Sequence, residues 1–166
     1  MKRWLLGSIL LLLVGSACYF FGYARGSAAI APEEQEALER TFADSMRGVV
    51  LEGSFTVDGS EREASTERYT VERVEKLGGD IWLFHARLQF GETDVSLPVP
   101  VKLLWAGDTP VVSLTDASIP GLGTYSARLV FFRDRYAGLW SNPRTGGYQF
   151  GKITRENARE NARENE

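Results

Sequence analysis

His85 is the single histidine of this chain and Cys18 the single cysteine, and neither has the company its chemistry requires. A histidine base works with a nucleophile and an orienting group placed beside it. No G-x-S-x-G elbow is present to supply the nucleophile, and His85 falls on the polar phase of a strand between Phe84 and Ala86, so it reads as a surface residue. Cys18 lies inside an apolar run. With no second thiol there is no intrachain disulfide, and a structural zinc site lacks its ligand set. Acidic residues gather near turns at Glu92, Asp94, Asp108, Asp116 and Asp134. A pair of them could serve glycoside hydrolysis and a cluster could hold calcium, but no D-x-D-x-D-G loop or comparable spacing occurs, and turn aspartates ordinarily bond their own backbone. Phosphate loops and dinucleotide fingerprints are missing too. The expectation is a non-enzymatic protein with no metal and no cofactor.

Aromatic side chains offer a different chemistry, the burial of an apolar ligand. Trp82, Phe84, Phe90, Trp105 and Phe131 fall on the inward phases of their strands, and Trp140 sits in a glycine-rich stretch near the end of the chain. If the strands enclose a space, Trp82, Phe84, Trp105, Phe131 and Trp140 are the candidate ligand contacts in its interior.

The elements that would position them follow from a period of two that starts at Gly48. Val49, Leu51, Phe55 and Val57 alternate with polar residues; Trp82, Phe84, Ala86, Leu88 and Phe90 oppose His85, Arg87 and Gln89; Val95 to Trp105 repeats the pattern. Turn signals such as Asp58-Gly59, Gly78-Gly79-Asp80, Gly107-Asp108 and Gly146-Gly147 separate these runs. They predict eight strands, 48–57, 67–77, 80–90, 93–105, 109–116, 124–133, 135–141 and 147–154. Short connections make this an antiparallel meander, closed as an up-and-down barrel or folded as a two-layer sandwich. The barrel is preferred, because closure removes exposed edges. Pro98 and Pro100, on the outward phase, call for an edge, a bulge or a bend.

Before the strands, residues 27–47 read as a linker and a short amphipathic helix. Glu33, Glu34 and Glu36 crowd its start, Arg47 its end, Gly48 terminates it, and Leu38, Phe42 and Met46 form one apolar stripe suited to covering one end of the β domain. The barrel domain proper is 48–154. Residues 155–166 form a polar repeat that can bury nothing, a disordered tail.

Residues 1–26 are the leader. Trp4 to Tyr23 carries no charge over about 20 positions, enough to span a bilayer, and Lys2 and Arg3 lie on the side that stays cytoplasmic. A single-pass anchor in a bacterial inner membrane with the C-terminal domain extracytoplasmic is the preferred reading. Cleavage as a signal peptide, which would release the domain to the periplasm or medium, and lipidation at Cys18 are its alternatives. Without Lys2, Arg3 and Arg25, 16 of the 19 basic residues remain against 22 acidic ones, a net charge of -6. Nucleic acid and anionic lipid headgroups, which need a basic face, are poor partners for such a domain.

The final hairpin is the most distinctive stretch. Gly138, Gly147 and Gly151 leave room for Tyr136, Trp140, Tyr148 and Phe150, the large-beside-small alternation that curves a sheet. The Pro-Gly-x-Gly-Thr turn, the paired aromatics and the Tyr-Ala-Gly-x-Trp-Ser and Gly-Gly-x-x-Phe-Gly-x-Ile segments within 119–153 resemble a group of small, uncharacterised exported bacterial β proteins, a resemblance that implies no activity. Gly138-Leu139-Trp140 is faintly similar to lipocalins and avidins, although their G-x-W lies on the first strand and this one on the seventh. Three functions follow as expectations. The first is a non-enzymatic interaction or structural module of the envelope, with an envelope protein as partner; the second is a carrier of a small apolar ligand; the third is an unrecognised enzyme.

Overall fold

The computed structural model describes residues 31–155. The apolar run Trp4 to Tyr23 and the repeat after Arg155 lie outside the described residues. Among those described, no helix is long and apolar enough to cross a membrane.

One helix precedes eight strands. α1 (Pro32–Ser45) leads into β1 (Val49–Phe55), β2 (Ser65–Gly78), β3 (Ile81–Phe90), β4 (Thr93–Ala106), β5 (Thr109–Ile119), β6 (Gly123–Phe132), β7 (Arg135–Ser141) and β8 (Gly146–Arg155). Each strand pairs antiparallel with the next, and β1 pairs β8, closing the barrel. Seven short connections favour this order, and closure gives every strand two neighbours. The sandwich alternative is thereby set aside.

The helix begins where proline costs no hydrogen bond and glutamates meet the positive end of the dipole. It stops at Ser45, before Arg47, and Gly48 turns the chain with a φ of 65°. The C-terminal carbonyls find their cation elsewhere: Arg155, at the end of β8, donates to Ser45 O and Arg47 O at 3.2 and 3.3 Å. The residue read as the start of a tail is therefore the helix cap.

Phe42 and Met46 are buried. Phe42 meets Trp82 and Trp105 edge to face, both at 5.9 Å, and lies 6.2 Å from Phe84. Burying a side chain of this size contributes about 1.5–3 kcal/mol. The stripe thus covers one end of the barrel, the end that also carries the tight turns β2–β3, β4–β5 and β6–β7.

Two irregularities re-aim the inward phase. In β2, Tyr69 and Val71 face in, then an extra residue at Glu72 shifts the register so that Val74 faces in. In β5 the shift falls between Leu114 and Ala117, where Asp116 takes a φ of 45° and receives the Ser126 hydroxyl on its Oδ1. The sequence pattern ends the strand at 116; the bulge carries it to Ile119.

The two prolines fit the closed barrel by a local opening. β5 pairs β4 only over Lys102–Ala106. The pair flanking the two-residue Gly107-Asp108 turn, Ala106 and Thr109, is hydrogen-bonded, so even-numbered residues of β4 aim their N–H groups towards β5. Pro98 and Pro100 are even-numbered and lie beyond the last pair, where no β5 partner waits for a donor.

Candidate functional site

Opposite the helix, the barrel end ringed by the loops β1–β2, β3–β4, β5–β6 and β7–β8 stays open. A cavity of about 310 Å³ lies there. Its wall is aromatic and aliphatic: Phe55, Tyr69, Leu88, Phe90, Ile119, Leu122, Tyr125, Ala127 and Trp140. Four of the rings form a chain of edge-to-face contacts, Trp140 to Phe55 at 5.8 Å, Phe55 to Phe90 at 6.4 Å and Phe90 to Tyr69 at 6.3 Å. The rim is pinned by an Asx turn, in which Asn142 Oδ1 accepts the N–H groups of Arg144 and Thr145 at 2.8 and 3.0 Å.

The floor carries a buried carboxylate. Glu67, 5% exposed, shares the inward phase of β2 with Tyr69 and Val71. Its Oε1 accepts the Tyr136 hydroxyl at 2.6 Å, and its Oε2 accepts the Tyr69 hydroxyl at 2.8 Å and the Gln149 amide at 2.9 Å. Gln149 Nε2 also donates to Tyr69 Oη at 3.1 Å. No Lys, Arg or His side chain lines the cavity among the described residues. Burial pushes the Glu67 carboxyl above the ordinary 4.5, and the three donors pull the other way. Burial and the neighbouring carboxylate likewise raise the Tyr69 and Tyr136 phenols, which stay protonated donors.

Glycines make this network reachable. Tyr136, Gly151, Gly53 and Glu67 are consecutive partners across β7, β8, β1 and β2. The Tyr136 side chain crosses two strands to reach Glu67, and a Cβ on Gly151 would stand 2.6 Å from Tyr136 Cε1, one on Gly53 2.4 Å from its hydroxyl. Only bare backbone lets the ring lie flat on the wall. The same device recurs two rows nearer the open end, where Trp140 lies against Gly147 and donates from Nε1 to Thr56 O at 3.1 Å. Tyr148 and Phe150, by contrast, point outward and are exposed, so the glycines make room for Tyr136 and Trp140 alone.

The five interior aromatics of the sequence reading separate. Trp82, Phe84 and Phe131 are buried in the helix-covered end, with Trp105 packed against them. The indole N–H groups of Trp82 and Trp105 have no hydrogen-bond partner among the described residues. None of the four lines the open-end cavity; Trp82 and Phe84 are core, while Trp105 and Phe131 also line a second cavity of about 780 Å³ beside the helix, with Phe42, Met46 and Ile153. Trp140 lines the open-end cavity, as does Phe90. Glu67, Tyr69 and Gln149 were not among the candidates: one glutamate among 22 acidic residues announces nothing, and only the step Glu67-Tyr69-Val71 hinted that it shares a phase with core.

His85 lies on the outer wall, its Nε2 3.2 Å from an Arg73 guanidinium nitrogen and 3.5 Å from Glu75 Oε1. Asp94 forms a two-pronged pair with Arg87 at 2.7 and 2.6 Å, Asp108 accepts the Thr109 hydroxyl at 3.3 Å, and Asp134 lies 3.6 Å from Arg135. The structure brings none of these to the open-end cavity. Among the described residues no three His, Cys, Asp or Glu side chains converge as a metal site would need.

Fold and site together define an eight-stranded antiparallel barrel, covered by a helix at one end and open to a small aromatic cavity at the other. Comparison with protein-family models, with curated proteins and with solved structures finds no match.

Proposed function

We propose that this chain is a binding protein for a small, largely apolar molecule, tethered on the outer side of a bacterial inner membrane by residues 4–23. The observation that carries the reading is the cavity at the open end. Its 310 Å³ is at the lower end of the range for ligand sites. Taking about 30 Å³ per water-sized volume, it admits a molecule of roughly ten non-hydrogen atoms. Apolar walls with a few convergent polar groups are the usual makeup of such sites. An aromatic wall left facing water gains by covering itself with an apolar ligand.

The test is retention. The full chain, extracted with its leader and examined by native mass spectrometry, is expected to carry a small molecule recoverable in organic solvent. Filling the cavity by Ala127→Phe, at a wall position, should abolish that retention without unfolding the barrel. A wild-type chain that carries nothing and takes up no apolar probe would overturn the reading.

A second reading, an interaction module that meets an envelope protein, has its own observation. Leu104, Val111, Val130, Ala137 and Phe150 are consecutive partners across β4 to β8, an outward row flanked by exposed Phe132, Leu139 and Tyr148. Exposed apolar surface grouped in this way favours a contact with another molecule. Phe150→Asp would remove such a contact and leave ligand retention unchanged.

A further inference from the structure

The geometry points to a more specific occupant, and the inference rests on the binding reading above: we infer that the cavity takes a protonated organic amine whose ammonium group meets the Glu67 carboxylate and whose apolar body lies among the aromatic rings.

The argument begins with a count of hydrogen bonds. An ionised carboxylate has about four acceptor sites. Three on Glu67 are filled by Tyr136, Tyr69 and Gln149, two of them on Oε2 and one on Oε1. One of the four sites is left by these donors, and Glu67 lines the cavity together with Tyr69 and Gln149. The two phenol hydroxyls and the Gln149 amide can all donate to an ionised carboxyl. The charge has no protein counter-ion at the cavity, where Lys, Arg and His are missing from the lining among the described residues. A buried charge without a counter-ion is destabilised by its lost hydration, and a bound cation offsets that loss.

The wall fits the same occupant. Phe55, Tyr69, Phe90, Tyr125 and Trp140 surround the space above the carboxylate, and ring faces attract an ammonium ion as they attract no neutral or anionic group. An alcohol would satisfy the free acceptor but leave the charge. A carboxylate ligand would add a second negative charge beside the first.

The test uses the full chain in lipid nanodiscs, titrated with four probes of matched size and followed by tryptophan fluorescence and calorimetry: phenethylamine, phenethyl alcohol, propylbenzene and phenylacetate. On the wild type, phenethylamine should bind roughly tenfold to hundredfold more tightly than propylbenzene, the worth of a hydrogen bond to a charged group, and phenylacetate should bind most weakly. Glu67→Gln should erase the preference while propylbenzene still binds. Equal affinity for the amine and propylbenzene on the wild type would overturn the amine assignment and leave the binding reading standing. Failure of every probe to bind the wild type would overturn both. The wild-type comparison decides the matter even where Glu67→Gln does not fold.

Discussion

Removing one oxygen, by Tyr136→Phe, tests whether the cavity floor is a held carboxylate. The ring would keep its place on Gly151 and Gly53 and its stacking on Phe131 at 6.2 Å and 27°; only the 2.6 Å bond to Glu67 Oε1 would go. A hydrogen bond to a charged group is worth about 1.5–3 kcal/mol and a neutral one about 0.5–1.5 kcal/mol. The loss should therefore depend on the charge of Glu67. Its folded pKa is raised above 4.5, so the carboxyl is more protonated at about pH 5 and more ionised at about pH 8. Expected losses are about 1 kcal/mol at the lower pH and about 2 kcal/mol at the higher, the latter lowering Tm by roughly 8 °C in a domain of this size. Urea unfolding followed by near-ultraviolet circular dichroism at both pH values gives the two numbers, with Tyr148→Phe, on an exposed residue, as the control that should change nothing. A loss within error of zero at both pH values would refute the carboxylate network.

Gly151→Ala would place a Cβ 2.2 Å from Glu52 O and 2.6 Å from Tyr136 Cε1; overpacking of this kind should cost about 3 kcal/mol, read as a lower urea midpoint. Phe42→Ala, which empties the space between Trp82 and Trp105, should cost about 3–5 kcal/mol and leave binding at the far end weakened only through stability. Glu67→Gln should flatten part of the pH profile. A raised folded pKa adds stability that is full below the unfolded value of 4.5 and is lost as pH climbs through the folded value, so the variant should gain on the wild type at neutral pH in a urea titration. The acid limb should survive in that variant, since Asp94 and Glu75, held low by hydrogen bonds from Arg87 and Arg73, lose their contribution as pH falls.

Strand positions were legible where one face is wet: alternation marks β3 and β4 most clearly, and glycines with positive φ mark turns such as Gly107. Depth along the barrel was not. Phe84 and Phe90 share a phase, yet one packs under Phe42 and the other opens on the cavity, because period two records which way a side chain points and not how far along the axis it sits. The site was hidden for a related reason. Glu67, Tyr136 and Gln149 come from β2, β7 and β8 and meet only after β1 and β8 close the barrel. Tyr136 beside Gly151 was readable as a large residue over a small one; what the tyrosine reaches across the glycines was not, since Gly53 and Glu67 lie some seventy residues or more away in sequence. Asp116 read as a turn residue, and the bulge it makes shares that left-handed chemistry.

The central claim is that the aromatic cavity opposite the helix is the ligand site, while Trp82 and Trp105 pack against Phe42 at the helix end. Its most direct test is an NMR titration of the full chain with phenethylamine, watching the tryptophan indole N–H signals. Trp140, on the cavity wall, should shift and saturate, while Trp82 and Trp105, packed against Phe42, should stay still. A Trp140 signal that does not move up to the solubility of the probe, or movement at Trp82 and Trp105 instead, would contradict the account.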